Sequence, residues 1–167
     1  MNQKNAAVRI SILVVFSALV TVATLLIRIP TPIVGGYFNL GDVMIFVSAL
    51  TFGPIIGGVA GGFGSAIADI IGYPLFAIPT LIIKGIEGFI AGFTRNKNHQ
   101  VRDVIAIVFA GSEMVIGYFL VEAFVLGYGM AGALTEVPVN IVQVAIGGLI
   151  GIPIAHTLRR ILPKSVQ

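Results

Sequence analysis

Residues 42–84 read DVMIFVSALTFGPIIGGVAGGFGSAIADIIGYPLFAIPTLIIK, and between the terminal Asp42 and Lys84 the only charge is Asp69. A helical crossing of a bilayer takes about 20 residues. The stretch is therefore too long for one crossing and too apolar for water. Gly53-Pro54 and Gly72-Tyr73-Pro74 break it, because proline removes an N–H and clashes with the preceding turn. Three segments result, at about 40–53, 55–72 and 75–93. The first is short for a full crossing and is expected to be tilted or only partly inserted.

The same reading extends outward. Val8–Ile29 carries charge only near its ends, at Arg9 and Arg28, and makes a first crossing at about 8–29. A cleaved signal peptide would want a shorter apolar region and a small-residue cleavage site, and neither is evident. Pro30-Thr-Pro-Ile-Val-Gly-Gly36 then stops the helix. Thr94–Asp103 is a polar loop, 104–126 a fifth segment, Tyr128–Leu134 a Gly-rich turn and 135–162 a sixth segment. The expectation is an all-α membrane protein with six transmembrane helices, forming a single transmembrane domain over residues 1–167.

Composition agrees. Of 167 residues, 57% are apolar and 10% charged, against roughly 25% charged in an average soluble domain. Mean hydropathy is +1.04. This argues against a cytosolic enzyme, a nucleic-acid-binding module and a disordered regulator, and leaves no room for an attached soluble domain. With no cysteine there is no disulfide framework and no thiolate metal site. Lys4 and Arg9, then Arg95, Lys97 and Arg102, then Arg159, Arg160 and Lys164 form three basic clusters separated by even numbers of crossings. By the positive-inside rule all three are cytoplasmic, which places both termini inside.

Ionisable groups in lipid cost about 2.5–3.5 kcal/mol each on insertion scales, so they should face protein or a wet cavity. At roughly 100° per residue, Gly58, Gly62, Ser65 and Asp69 share one stripe. Ala77, Thr80, Lys84, Gly88 and Ala91 share another. Val115, Tyr118 and Glu122 align on the fifth segment, and Glu136, Asn140, Gln143 and Gly147 on the sixth. Glu113 falls on the face opposite Glu122. Four helices thus offer polar stripes at similar depth, which predicts an outward-open pocket closed below by apolar residues. The same residues also read structurally: Asp69–Lys84 and Lys84–Glu87 as ion pairs, Asn140 and Gln143 as interhelical hydrogen bonders.

Gly57-Gly58-Val-Ala-Gly61-Gly62 and Gly88-x-x-x-Gly92 carry G-x-x-x-G spacing, which lets helix backbones approach closely in lipid. Gly62-Phe-Gly64 is no dinucleotide fingerprint, and there is no G-x-x-x-x-G-K-[ST] phosphate loop. The chain by itself is not expected to use ATP. His99 and His156 lie away from the polar stripes, and no H-E-x-x-H or His/Cys cluster suggests a metal or a catalytic centre. Neither cofactor nor metal is expected.

Tyr37-Phe-Asn-Leu-Gly-Asp42, Phe52-Gly-Pro54, Gly61-Gly-Phe-Gly-Ser-Ala-Ile-Ala-Asp69, Thr80–Gly92, Gly117-Tyr-Phe-Leu-Val-Glu122 and Glu136-Val-Pro-Val-Asn140-Ile-Val-Gln143 occur in this order. Together, from about Val8 to Arg160, they resemble the substrate-capture subunits (S components) of energy-coupling factor (ECF) vitamin transporters. The resemblance implies a six-helix S-component fold and a vitamin pocket near the outer face, covered by the loop between the first two helices. It implies a transmembrane coupling subunit and two cytoplasmic ATPases as partners, with the S component toppling in the membrane to deliver its ligand. Such subunits usually carry Ala-x-x-x-Ala on the first helix for docking. Here the nearest spacing is Ser17-x-x-x-Thr21, with Ala18 beside it.

The pattern looks most like members assigned to hydroxymethylpyrimidine or pyridoxine. Such a ring would stack on Tyr73, Phe38 or Tyr118 and hydrogen-bond to Asn140, Gln143 or Glu122. Candidate binding residues are Asn39, Asp69, Tyr73, Lys84, Tyr118, Glu122, Asn140 and Gln143. Candidate docking residues are Ser17, Ala18 and Thr21. A riboflavin-type S component remains an alternative. So do a stand-alone carrier using Asp69, Lys84 and Glu87 as an ion relay, and a membrane scaffold without ligand. The roles of Glu87 and Glu113 stay open.

Overall fold

The computed structural model of the chain describes residues 3–31, 36–93 and 100–163. Arg95, Lys97, His99 and Lys164 lie outside the described residues, as do loop residues 32–35 and the side chain of Lys4. The elements are α1 (Gln3–Leu26), β1 (Arg28–Pro30), β2 (Tyr37–Asn39), α2 (Gly41–Phe52), α3 (Pro54–Gly72), α4 (Ala77–Phe93), α5 (Gln100–Leu120) and α6 (Gly129–Ile161). A 3₁₀ turn (Pro74–Phe76) leads into α4, and a π turn (Val121–Val125) closes α5.

Five helical stretches are long and apolar enough to cross a membrane, namely Ala6–Leu26, Pro54–Gly72, Pro74–Phe93, Gln100–Val125 and Gly129–Ile161. α2 is not among them. Its 12 residues rise about 18 Å at 1.5 Å per residue, against a hydrocarbon core of about 30 Å. Nearly all of it is buried, and Ile45, Phe46, Ala49 and Leu50 anchor the core together with Val20, Ala91, Ile107 and Ala155. α2 is thus the central post of the bundle. Large apolar side chains such as Ile10, Val14, Ile55, Ile78, Phe109 and Leu149 point outward instead, as lipid-facing surface requires.

Several expected boundaries move. The first helix runs Gln3–Leu26 instead of 8–29, and Arg28 and Ile29 belong to β1. Residues 100–103 are helical, not loop, and the Gly-rich stretch after Gly129 is the first turns of α6. Gly127 and Gly129 each have φ above +70°, so the turn is made there and the helix resumes at once. Gly53, at φ 96°, makes the α2–α3 corner ahead of Pro54 in the first turn of α3.

The glycine spacing does pack helices. A Cβ on Gly61 would lie 2.6 Å from the Lys84 carbonyl oxygen, and one on Gly62 would lie 2.7 Å from that of Leu81. Only glycine lets α3 and α4 come this close. That contact fixes the height of Lys84 against α3.

β1 and β2 pair antiparallel, with Arg28 opposite Asn39 and Ile29 opposite Phe38. This hairpin caps the end of the bundle where α1 ends and α2 begins. The ends of α3 and α5 and the start of α6 lie at the same end, by chain order.

Candidate functional site

A cavity of about 40 Å³ lies under the hairpin. Asn39, Asp69, Lys84, Tyr118, Glu122, Asn140 and Gln143 all line it. α3 also contributes Ser65, α4 Thr80, and α6 Glu136. Stripes on four helices therefore meet in one place, as i, i+3, i+4 spacing requires. Glu113 is not among the lining residues.

The hairpin supplies part of the wall itself. Side chains alternate along a strand. Tyr37 and Asn39 line the cavity and Phe38 does not. The Tyr37 hydroxyl donates to Asp69 Oδ1. The Asn39 backbone N–H and side-chain Nδ2 both donate to Gln143 Oε1, at 2.9 and 3.0 Å. Asn39 Oδ1 in turn accepts the Gly41 N–H at 2.8 Å, tying the hairpin to the first turn of α2. Thr31 donates to Glu136 Oε1. Burial, reinforced by the neighbouring Asp69 charge, pushes the Tyr37 hydroxyl above its ordinary pKa, so it remains a donor.

Behind the lining at Lys84 lies a buried charged cluster. Lys84 Nζ lies 2.5 Å from Asp42 Oδ1 and 2.9 Å from Glu87 Oε2, with all three side chains almost fully buried. Gln143 Nε2 donates to Asp42 Oδ2 at 3.2 Å. This corrects one expected ion pair: Lys84 bonds Asp42 on α2, while Asp69 is held by Tyr37. The i, i+3 pair with Glu87 is present. Asp42 marked only a segment end in the sequence; that α2 starts there, under the hairpin, depends on the tertiary fold.

Tyr73 is also displaced from its expected place. It stacks on Tyr37 with ring centroids 5.1 Å apart and does not line the cavity. The Arg28 guanidinium sits 5.0 Å from the Tyr37 ring centroid and 5.9 Å from that of Tyr73, and donates to the Ala68 carbonyl at 2.8 Å. Phe76, in the 3₁₀ turn, supplies an aromatic wall that the stripes did not reveal, because it precedes α4. Its ring lies 6.5 Å from Tyr118 and 6.3 Å from Tyr128. Thr80 and Tyr118 share a hydrogen bond of 2.9 Å across α4 and α5.

The docking candidates divide. The Thr21 hydroxyl bonds the Ser17 and Gly64 carbonyls, at 3.0 and 2.7 Å, so the Ser17–Thr21 side lies on the seam with α3. Ala18 is exposed on the outer face of α1.

Comparison with known proteins adds to this geometry. A family profile described as "ECF-type riboflavin transporter, S component" matches residues 4–160. An uncharacterized protein of Pyrococcus woesei is 48% identical over 142 residues, covering 84% of this chain and 95% of that one. The thiamine precursor transporter HmpT of Lactococcus lactis subsp. cremoris (strain MG1363) is 32% identical over 149 residues, covering 88% and 84%. A solved structure described as the S component of a bacterial ECF transporter superposes with TM-score 0.75 at 19% identity, covering 93% of this chain and 98% of that one. At that identity the likeness speaks for the fold.

Proposed function

The chain belongs to the ECF-type riboflavin transporter S-component family, a family of multi-pass membrane proteins, and from that premise we propose that it captures a small heteroaromatic vitamin precursor for an ATP-driven importer. The ligand sits under the β1–β2 hairpin, in a cavity facing the outside. A transmembrane coupling subunit and two ATPases energise its delivery inward, with both termini of this chain cytoplasmic. The observation that carries the reading is the convergence of polar side chains from α3, α4, α5 and α6 beneath one hairpin.

A ligand pocket typically measures about 300–1,000 Å³, so a cavity near 40 Å³ takes a ring only when the hairpin lifts. A single small ring demands the least displacement. The likeness to a thiamine precursor transporter supports a hydroxymethylpyrimidine-type ligand in preference to pyridoxine. The family description supports riboflavin as the second reading.

Calorimetric titration of the purified chain with 4-amino-5-hydroxymethyl-2-methylpyrimidine, pyridoxine, thiamine and riboflavin decides between them. The expected result is tight 1:1 binding of the pyrimidine, with no transport by the chain alone in liposomes. Tight binding of riboflavin without the pyrimidine would establish the second reading. Ion-driven uptake by the chain alone would overturn the capture-subunit role.

A further inference from the structure

Among the described carboxylates lining the cavity, Asp69 receives Tyr37 and Glu136 receives Thr31. Glu122 stands apart. It is 3% exposed, it lines the cavity, and its Oε2 is buried without a hydrogen-bond partner. A buried acceptor left unmade costs about 1–3 kcal/mol, and more when charged. Such a group persists where a ligand completes it.

Its surroundings restrict that ligand. Glu122 lies in the π turn that closes α5, and its carbonyl accepts the Tyr128 N–H at 3.0 Å. Single π turns often mark functional sites. The Tyr128 hydroxyl is held above its ordinary pKa by burial and by the charges of Glu122 and Glu136. Phe76 packs between Tyr118 and Tyr128, so the free carboxylate stands beside an aromatic wall. The one cation among the described lining residues, Lys84, is already engaged by Asp42 and Glu87.

We infer that Glu122 is the specificity-determining residue of this site and grips the amidine edge of an amino-substituted nitrogen heterocycle stacked on Phe76. The inference deepens the function proposed above and rests on it. A carboxyl group and an amidine edge form two parallel hydrogen bonds. One oxygen accepts from the exocyclic amino N–H, and the other shares a proton with the adjacent ring nitrogen. The proton resides on the ring nitrogen, taken up from the carboxyl group or from solvent, so the pair joins a carboxylate to an amidinium edge. A lactam edge, as in the 4-oxo analogue, or an imide edge, as in an isoalloxazine, turns a carbonyl oxygen toward the carboxylate and is repelled. The site therefore selects a 4-aminopyrimidine over its 4-oxo analogue, and over an isoalloxazine.

The test titrates the purified full chain with 4-amino-5-hydroxymethyl-2-methylpyrimidine, its 4-oxo analogue, pyridoxine and riboflavin. The variants are Glu122→Gln and Glu122→Asp, each checked for a native thermal transition. Expected is at least a 100-fold preference of the wild type for amino over oxo, reduced below 10-fold in Glu122→Gln and partly kept in Glu122→Asp. The ultraviolet spectrum of the bound pyrimidine should also show a protonation-type shift in the wild type that Glu122→Gln abolishes, a readout that a merely structural Glu122 would not move. Equal binding of both pyrimidines, or an unchanged preference in Glu122→Gln, overturns the inference and leaves the capture function standing. Tight binding of pyridoxine or riboflavin alone overturns the inference and redirects the substrate. Binding of none of the four overturns both. If Glu122→Gln does not fold, the Glu122→Asp preference and the wild-type spectrum still decide.

Discussion

Gln143 Oε1 accepts two hydrogen bonds from Asn39, while its amide nitrogen donates to Asp42. The orientation of that amide is determined, since a flip would set donors against donors and oxygen against carboxylate. A continuous path runs from the hairpin through Gln143 and Asp42 to Lys84 and Glu87. The hairpin over the cavity and the charged cluster behind Lys84 therefore share one side chain.

Gln143→Glu should break this path at Asp42, by bringing a second carboxylate against it, while its oxygens still accept from Asn39. Gln143→Leu should break it without adding charge. Loss of about 1–3 kcal/mol is expected for unpaired buried partners, with faster ligand release in both variants. Release rates and denaturation in detergent check this; unchanged rates in both would show that the hairpin is held elsewhere.

Lys84→Met strands the carboxylates of Asp42 and Glu87 in the core. Removing one partner of a buried pair costs about 3–5 kcal/mol. Adding Asp42→Asn and Glu87→Gln to Lys84→Met should recover most of that stability, because the desolvation of charge disappears with the charges. Thermal melts of the single and triple variants measure the difference.

Gly61 and Gly85 lie on facing helices but should respond in opposite ways. A Cβ on Gly61 meets the Lys84 carbonyl at 2.6 Å, whereas at Gly85 the nearest atom is 3.6 Å away. Gly61→Ala should destabilise by about 1–3 kcal/mol, and Gly85→Ala should be neutral or stabilise by roughly 0.5–1 kcal/mol. Comparison of their melting temperatures in one detergent tests the α3–α4 seam.

Arg28 binds two tyrosine faces and the Ala68 carbonyl near the end of α3. Arg28→Ala and Tyr37→Phe should each raise the ligand dissociation rate several-fold, Tyr37→Phe by loss of the Asp69 contact alone. Limited proteolysis at the hairpin should accelerate in parallel. Equal cleavage rates would separate the clasp from hairpin closure.

Ala18→Trp adds bulk on the exposed face of α1, while Thr21→Leu disturbs the seam with α3 at Gly64. Ala18→Trp is expected to keep ligand binding and lose uptake with the coupling module. Thr21→Leu is expected to lower thermal stability first. Binding and uptake measured side by side distinguish a docking face from a packing face.

Much of this was legible along the chain. Apolar runs, broken where proline and glycine interrupt helical hydrogen bonding, located the segments. The 3.6-residue period placed Asp69, Lys84, Tyr118, Glu122, Asn140 and Gln143 on stripes that share a cavity. Periodicity orders residues around one helix but carries no information about which helix faces which. For that reason the sequence offers Lys84 both Asp69 and Glu87 as partners, and shows Asp42 only as a segment end and as part of the Tyr37–Asp42 motif. Phe76 and Tyr37 escaped because 3₁₀ turns and short strands carry little periodic signal.

The sequence alone determined that the chain must fold in lipid as packed helices, because its few charges cannot cover so much apolar surface in water. Tertiary structure decided which charges neutralise one another and which carboxylate of the cavity keeps an unpaired oxygen. α2 is only 12 residues long and almost wholly buried, so its first turn sits inside the bundle and brings Asp42 to Lys84. The hairpin then folds over that turn and satisfies Asp69 and Glu136, leaving Oε2 of Glu122 without a partner. Pairing of this kind is set by distances of a few ångströms between residues far apart in the chain, and those exist only once the helices have packed.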